Sequence, residues 1–392
     1  MSAAPRHAEA LRAAALARAG AYYAARFLGA SRRSLGAVAQ RTEQLSPWRR
    51  FRARRPFFDP AHLGRVRDTP SYSAAEIVRE HLLRDTIEFR PVRAHWVEDA
   101  WLMDGSVFVR GTQRLDLRDT LRRTPAERIS FRPAGECLEL ERAVLGATCA
   151  GATWFGHWLE DEVPLLLLGE RHGESVAPAR RAYAHEAGYL RAFGLRAPRR
   201  AGVARVGELV VIEEFAQNPH KTARYAELRA RLAGPPGARR VFLARGGAGQ
   251  PRTLVNEHAL CERFAREGFR VLDVSRAAFG ELAATLRGAE VIAGVEGSHL
   301  AHALYLAQDH ASLLILNPPD RVHTTVADIG VFCRLHSGMF VCEPDPAGRG
   351  FLADAEEALA FLERLLAHAA AERATLGAYV DELLALNGAP RC

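Results

Sequence analysis

Lysine is almost absent from this chain: Lys221 is the only one, although lysine and arginine together number 53. The formal net charge of +7 at pH 7 and the pI of about 9.4 therefore come almost entirely from arginine. A basic balance favours partners that carry phosphate, such as nucleotides. The chain is also rich in Ala and Gly, however, so the arginine bias is typical of a GC-rich genome and is a weak sign of function.

Cysteine and long apolar runs are scarce as well. The six cysteines include no pair with CxxC spacing, which excludes a disulfide framework and predicts free thiols in a reducing compartment. No apolar run reaches the ~18 residues that a membrane span requires. The N-terminus also lacks the uninterrupted apolar core of a secretory signal. We therefore predict a cytoplasmic protein.

Residues 1–75 form a basic, Ala-rich helical extension. Residues 10–28 suit an amphipathic helix, and residues 47–55 (PWRRFRARR) combine cations with aromatic side chains. One interpretation is peripheral docking on the anionic inner face of a membrane. The other is a solvated helix and linker, which we favour because the apolar face is mostly Ala. No nucleic-acid-binding module is recognisable, so we predict no nucleic-acid partner.

Residues 76–236 are predicted to form a first domain. Strand patterns dominate up to residue 145, with Asp104-Gly105 as a hairpin signal between two apolar runs. Helices are predicted over 154–170, 180–193 and 221–233. Pro164 must bend or restart the first of them. The segment Gly234-Pro235-Pro236-Gly237 is the clearest break in the chain and marks the predicted domain boundary.

Strands and helices alternate regularly over residues 237–392. Strands are predicted over 240–244, 269–274, 290–293 and 312–316, and helices over 255–267, 278–287, 299–306 and 353–384. This alternation is typical of a parallel, doubly wound sheet. Ligands of such sheets bind beyond the carboxyl ends of the strands.

The turn GVEGSH at residues 294–299 follows the third of these strands. Gly294 and Gly297 permit backbone shapes and close approaches that side chains would block. The N–H groups of Ser298 and His299 open a helix, and with the positive end of its dipole they favour an anion such as a diphosphate. Glu296 is expected at the rim, accepting hydrogen bonds from ribose or sugar hydroxyls. By itself the turn predicts only anion binding, because ordinary α/β turns also use Gly and Ser.

Two motifs make residues 153–316 similar to glycosyltransferase family 61. In that family a strand ends in Arg, a second Arg and an Asn-Glu pair open the next helix, Gly-Phe starts the next strand, and a Gly-x-His-Gly-Ala-x-Leu-x-Asn turn follows. The chain supplies Arg245, Arg252, Asn256-Glu257, Gly268-Phe269 and, at 294–302, GVEGSHLAH. An upstream family pattern, His-Trp-Leu-x-Asp-x-x-Pro, is matched at residues 157–164 by HWLEDEVP.

Two of the departures of the turn from the family pattern bear on donor choice. Glu296 replaces the family His and His302 replaces the family Asn. Donor choice is therefore open at these two positions.

The resemblance implies an α/β, GT-B-like fold of two Rossmann-like domains with a cleft between them. The acceptor-side domain is expected at 76–236 and the nucleotide-sugar-binding domain, with a long final helix, at 237–392. The implied activity is inverting transfer of a sugar from a UDP-linked donor to a glycan or other hydroxyl acceptor, as in surface polysaccharide synthesis. Donor binding is expected from Arg245, Arg252, Asn256, Glu296, Gly297, Ser298, His299 and His302.

Inverting transfer needs a general base for the acceptor hydroxyl and positive charge for the leaving diphosphate. His157 and Asp161 are four residues apart and share one face of a predicted helix. Asp161 is then the base, or it orients His157 as the base, or the two form a buried structural pair. Glu160 and Glu162 are expected to point elsewhere, into solvent.

Arg245 and Arg252 are expected to reach the diphosphate with forked donors. The pairs His157/Asp161 and His299/His302 have spacings that a metal could use, but no third ligand is apparent. We predict no metal and no cofactor.

Two other functions stay open. A nucleotide-dependent dehydrogenase would use the Gly-rich residues 245–249, but Pro251 follows them and no acidic residue is apparent at the end of the next strand. A non-catalytic binding or scaffold protein with the same fold is the other alternative, because Glu296 replaces the family His.

Overall fold

The computed structural model describes residues 3–27, 34–70, 74–103, 106–109, 113–114, 135–214, 216–246 and 252–388. The chain divides into two compact units, Met1–Arg49 with Arg90–Ala216 and Arg50–Phe89 with Gln217–Cys392. Residues 217–236, which precede the predicted boundary, lie in the second unit. The predicted N-terminal extension is divided between both units.

Strands outnumber helices up to Glu213 in the described part of the chain. The helices are α1 (Ala3–Phe27), α2 (Leu35–Val38), α3 (Ala74–Leu83), α4 (Cys149–Thr153), α5 (Phe155–His157), α6 (Val163–Gly169) and α7 (Glu186–Phe193). A 3-10 turn covers Pro60–Arg65 and a π-helical turn covers Trp158–Glu162. The strands are β1 (Arg41–Ser46), β2 (Arg49–Arg52), β3 (Phe57–Phe58), β4 (Thr86–Phe89), β5 (Val92–Met103), β6 (Ser106–Val109), β7 (Gln113–Arg114), β8 (Glu136–Leu145), β9 (Ser175–Pro178) and β10 (Arg199–Glu213).

The remaining elements alternate more regularly. The helices are α8 (Pro219–Arg231), α9 (Glu257–Arg266), α10 (Phe279–Leu286), α11 (Ala301–Leu306), α12 (Thr325–Phe332) and α13 (Ala355–Gly388). The strands are β11 (Arg240–Ala244), β12 (Arg270–Asp273), β13 (Val291–Val295), β14 (Ser312–Asn317), β15 (His336–Val341), β16 (Glu343–Pro344) and β17 (Phe351–Leu352). A 3-10 turn, Ser298–Leu300, precedes α11.

The first unit contains a seven-stranded mixed sheet in the order β7-β6-β5-β10-β8-β9, with β1 also paired to β5. Strand β10 runs antiparallel to β5 and parallel to β8 and β9. The predicted strand patterns are confirmed in β5, β6 and β8, while the expected Asp104-Gly105 turn lies outside the described residues. A Rossmann-like sheet would be parallel throughout, so the antiparallel pairs of β5 with β1 and β6 set this unit apart from the one predicted.

Helix α1 packs its apolar stripe on this sheet. The buried residues recur at helical spacing: Leu11, Ala15, Ala19 and Tyr22. They form one cluster with Trp101 of β5 and Phe108 of β6, and the Tyr22 and Phe108 rings meet edge to face at 5.7 Å. The preference for a solvated extension was therefore wrong for this helix, because its small apolar side chains are buried in the unit. Within the described ranges, none of the helices combines the length and the apolar character that a membrane span requires.

The second unit contains a six-stranded sheet in the order β12-β11-β13-β14-β15-β3. All five pairings are parallel, which confirms the predicted parallel sheet. The strands from β11 onward follow the doubly wound order 2-1-3-4-5, whose direction reverses between β11 and β13. Ligands of such sheets bind at this reversal, beyond the carboxyl ends of the strands.

Helices cover this parallel sheet on both faces, as its buried central strands require. Every residue of β13, β14 and β15 is buried. Helices α9 and α13 pack on one face through a cluster that includes Phe264 and Phe361. Phe264 is fully buried, and its ring lies 5.1 Å from Phe242 and 5.0 Å from Phe269.

Replacing Phe264 by Ala should lower the free energy of unfolding by about 3–5 kcal/mol, because a cavity would open among three aromatic rings. Urea unfolding followed by circular dichroism measures the change. Val271 of β12 is 37% exposed, so Val271→Ala serves as the control and should change stability by less than ~1 kcal/mol. Equal effects of the two substitutions would contradict this account of the core.

Candidate functional site

Two arginines converge on one carbonyl at the reversal point of the parallel sheet. Arg245 follows β11 directly, and Leu243 of β11 pairs with Gly294 of β13, so the ends of these strands are neighbours. The Nη1 atoms of Arg245 and Arg252 each donate a hydrogen bond of 2.9 Å to the main-chain oxygen of Glu296. The structure therefore brings together both predicted diphosphate-binding arginines and the predicted turn.

Gly297 makes this convergence possible. Its φ of 153° lies in a region that residues with side chains rarely adopt. A Cβ atom at this position would overlap Nη1 of both Arg245 and Arg252. Only glycine fits here, which agrees with the close backbone approach predicted for this residue.

The Glu296 side chain is buried, whereas it was predicted at the rim. One carboxylate oxygen, Oε2, lies 3.0 Å from Arg252 Nη1, and both side chains are about 10% exposed. Burial raises the pKa of Glu296 above its ordinary value, although the charges of Arg252, Arg321 and Arg245 act in the opposite direction. The prediction was wrong because it placed the residue by chain position, and the turn folds the side chain toward the arginines.

Arg321 is a third cation of this site, and it was not predicted from the sequence. Its charge acts on both Glu296 and Arg245, which places it within electrostatic range of the turn. Arg321 lies four residues beyond Asn317, the last residue of β14. Because β14 pairs with β13, the carboxyl ends of the two strands are adjacent, and this topology is the signal that would have pointed to Arg321.

His299 is a neutral group beside the two arginines. Burial, together with the positive charges of Arg245 and Arg252, lowers its pKa to about 3. The imidazole is therefore uncharged near neutral pH and adds no positive charge for a diphosphate.

The turn continues into the predicted helix, first as the 3-10 turn Ser298–Leu300 and then as α11. Ser298 is half-buried, whereas His302 of α11 is 1% exposed and belongs to the interior. Ser298 is thus better placed for contact with a ligand than His302.

Asn256 and Glu257 support the site through backbone contacts. The Asn256 side chain donates to the Ala353 oxygen at 2.7 Å and accepts from the Ala353 nitrogen at 3.2 Å, which fixes the chain just before α13. Glu257 accepts a hydrogen bond of 3.0 Å from the Arg245 main-chain nitrogen. Both polar ends of the Asn256 amide thus bind protein, so a direct donor contact for it stays a prediction.

An acidic residue does close the strand after β11, contrary to the sequence analysis. Asp273 is the last residue of β12. Its Oδ1 accepts hydrogen bonds from Ser275 N at 2.9 Å and Ser275 Oγ at 2.6 Å, so the carboxylate closes its own turn. The missing acidic residue is thus no longer an objection to a dehydrogenase. Ligand binding has to distinguish a dehydrogenase from a glycosyltransferase.

The second group of predicted site residues lies in the first unit. His157 Nδ1 and Asp161 Oδ2 are 3.0 Å apart, and both side chains are partly exposed. The predicted helix is confirmed, but its middle turn, Trp158–Glu162, is π-helical. Pro164 has no N–H to close an α-helical bond at this point, and the Val163 N–H bonds instead to the Trp158 oxygen five residues back.

Glu160 and Glu162 are buried, at 2% and 1% exposure, whereas they were predicted in solvent. The prediction assumed α-helical spacing, which the π-helical turn does not follow. Glu160 Oε2 lies 3.7 Å from His157 Nδ1. One ligand atom each from His157, Glu160 and Asp161 lies within 4.8 Å of the others, so a third side chain able to bind a metal is present after all. The absence of a metal stays a prediction.

Glu162 anchors the π-helical turn from inside. Its Oε1 accepts a hydrogen bond of 2.7 Å from Thr148 N, and its Cγ would lie 2.5 Å from a Cβ at Gly151. Burial raises the pKa of Glu162 to about 7, against the Thr148 hydrogen bond and the charges of Arg180 and Arg200.

Protein stability should therefore depend on pH through Glu162. Between its ordinary pKa of 4.5 and about 7 the folded state binds more protons than the unfolded state, so the free energy of unfolding should fall as pH rises. The loss attributable to Glu162 is on the order of 3 kcal/mol. Unfolding of the wild type and Glu162→Gln at pH 5 and pH 8 measures it.

The Glu162→Gln protein should lose much less stability over this pH range than the wild type. Glu174→Gln is the matched control, because the Glu174 side chain is 52% exposed in the same unit. Identical pH profiles for the wild type and Glu162→Gln would show that Glu162 is not the group responsible.

We compared the sequence with known proteins and protein families. No curated protein matches the chain. A family model described as Glycosyltransferase 61 matches residues 155–314. The match includes His157 and Asp161, Arg245 and Arg252, and the whole turn at 294–302. The resemblance to this family that the motifs predicted is therefore confirmed over residues 155–314.

Proposed function

We propose that the protein is an inverting glycosyltransferase that moves a sugar from a UDP-linked donor to a hydroxyl group of a glycan or similar acceptor. The observation that carries the proposal is the convergence of Arg245 and Arg252 on the Gly297 turn, at the point where ligands of doubly wound sheets bind. The family match supports glycosyl transfer as the class of reaction.

The donor diphosphate binds among Arg245, Arg252 and Arg321 in this proposal. Guanidinium groups suit phosphate oxygens because their donors form a fixed fork. When the glycosidic bond to the donor breaks, negative charge grows on the leaving diphosphate. Fixed positive groups in a buried setting stabilise such charge more strongly than water does. Arg245 is 6% exposed and so provides that setting.

The acceptor hydroxyl is deprotonated by His157 in this proposal. Asp161 accepts a hydrogen bond from Nδ1–H of His157, which leaves Nε2 as the basic nitrogen. Asp161 also stabilises the imidazolium that forms once His157 has taken the proton. Of the two roles left open by the sequence, the 3.0 Å contact favours Asp161 as the orienting residue.

The two units divide the work as in GT-B-like enzymes: the second holds the donor and the first activates the acceptor. The family resemblance extends the proposal to a hexose or pentose as the transferred sugar and to a role in surface polysaccharide synthesis. The composition favours a cytoplasmic location. Peripheral membrane contact is not part of the proposal, because the apolar stripe of α1 packs on the sheet of its own unit.

UDP should stabilise the wild-type protein against heat, because a ligand that binds only the folded state raises the free energy of unfolding by about 2.7 kcal/mol at 100 times its Kd. Arg245→Met should abolish this shift, since it removes a buried guanidinium from the diphosphate site. The measurement is a thermal-shift titration with UDP and, separately, NAD.

Arg239→Met is the matched control for this titration. The Arg239 side chain is 81% exposed and pairs with Glu290, so its removal should leave the UDP shift unchanged. A shift with NAD and none with UDP would favour the dehydrogenase. The absence of a shift with any nucleotide would favour the scaffold protein.

Asp161→Asn should lower kcat by roughly a hundred-fold or more while the Kd of UDP stays the same, because the substitution disturbs the His157 tautomer without touching the donor site. Transfer kinetics with a UDP-sugar and calorimetry with UDP provide the two readouts. Glu174→Gln should change neither. Weaker UDP binding with normal turnover would contradict the assigned role.

A further inference from the structure

The Glu296 carboxylate and the proposed donor diphosphate require the same guanidinium. Glu296 Oε2 lies 3.0 Å from Arg252 Nη1, and the same Nη1 atom also donates to the main-chain oxygen of Glu296. No hydrogen bond of acceptable geometry reaches Oε2 from the residues that the structure describes. The contact is thus an ion pair without a well-directed hydrogen bond.

The surroundings of this carboxylate are strongly cationic. Arg252, Arg321 and Arg245 all act on its charge, and they come from the loop before α9, the loop after β14 and the end of β11. His299, on the same turn, is neutral. The charge of Glu257 in α9 also acts on Arg245, and its carboxylate accepts a hydrogen bond from the Arg245 backbone. Glu296 is therefore the carboxylate that neutralises part of the positive charge at Arg252.

A diphosphate would make better contacts with Arg252 than Glu296 does. A phosphate group offers several charged oxygens that can accept two parallel bonds from one guanidinium. The Glu296 carboxylate offers this arginine a single close oxygen, Oε2, and both side chains are only about 10% exposed. The Arg252 guanidinium is therefore paired with an anion both before the diphosphate binds and after it has replaced Glu296.

From this geometry we infer that Glu296 is an intramolecular competitor of the donor diphosphate, holding Arg252 until a nucleoside diphosphate takes it over. The inference rests on the proposed function, because it assigns the diphosphate of that function to Arg252. It gives Glu296 a role opposite to the hydroxyl-binding role predicted from the sequence. A residue that binds donor hydroxyls would strengthen donor binding, whereas a competitor weakens it.

Competition of this kind would assist product release. The diphosphate that leaves carries one more negative charge than it had as a sugar ester, so a cluster of arginines holds it more tightly than the donor. When the Glu296 carboxylate returns to Arg252, it offsets part of the tighter binding of the leaving diphosphate. Removal of the carboxylate should therefore strengthen inhibition by UDP as well as UDP binding.

Calorimetric titration of UDP and uridine into the wild type, Glu296→Gln and Glu290→Gln tests the inference. Glu296→Gln should lower the Kd of UDP about ten-fold and leave that of uridine unchanged, because only the diphosphate meets Arg252. Glu290 immediately precedes β13, at the end of the strand opposite to the turn, and pairs with the exposed Arg239. Glu290→Gln removes the same charge and should change neither Kd.

Proton binding provides a second readout. Protonation of Glu296 would release Arg252, so the wild type and Glu296→Gln should approach the same UDP affinity as pH falls. Comparing the two proteins at each pH cancels the titration of UDP itself. Should Glu296→Gln fail to fold, Glu296→Asp keeps the charge but shortens its reach toward Arg252, and it should also bind UDP more tightly than the wild type.

An unchanged or higher Kd of UDP in Glu296→Gln would overturn the inference, as would an equal gain in Glu290→Gln or an equal gain for uridine. Failure of the proposed function would look different: none of the proteins would bind UDP. In that case inorganic pyrophosphate serves as the probe. Tighter pyrophosphate binding by Glu296→Gln would still support competition at Arg252, and equal binding would overturn it.

Discussion

The contact of two guanidinium groups with the backbone at the Gly297 turn is the constraint on which the proposed donor site depends. Arg245 and Arg252 reach the Glu296 oxygen because no Cβ stands in their way. Two like charges approach each other there, and the Glu296 carboxylate reduces their repulsion. The turn thus keeps an excess of positive charge in a buried place, which suits a doubly charged ligand better than a neutral one.

Burial changes the chemistry of ionisable groups in both units. In the second unit it holds His299 neutral and raises the pKa of Glu296. In the first unit it raises the pKa of Glu162, which follows Asp161 of the partly exposed His157 and Asp161 pair in the chain. Perturbed groups of this kind cluster at functional sites more often than elsewhere. The family match spans both clusters.

Periodicity and motif order predicted much of the second unit, because the strands of a parallel sheet are continuous apolar runs separated by helices. The same reasoning failed for Glu160 and Glu162, since a π-helical turn breaks the spacing that it assumes. Arg321 could not be predicted in this way, because local sequence does not determine the order of strands that brings β14 beside β13. For Glu296 the motif predicted the position, but the direction of the side chain depends on the folded turn.

The proposed function requires that a nucleoside diphosphate bind at the reversal point between β11 and β13. A crystal structure of the protein with UDP tests it most directly. We expect phosphate oxygens to contact Arg245 and Arg252 beside Gly297, with the Glu296 carboxylate displaced from Arg252. UDP bound away from this turn, or a diphosphate that touches neither arginine, would contradict the account.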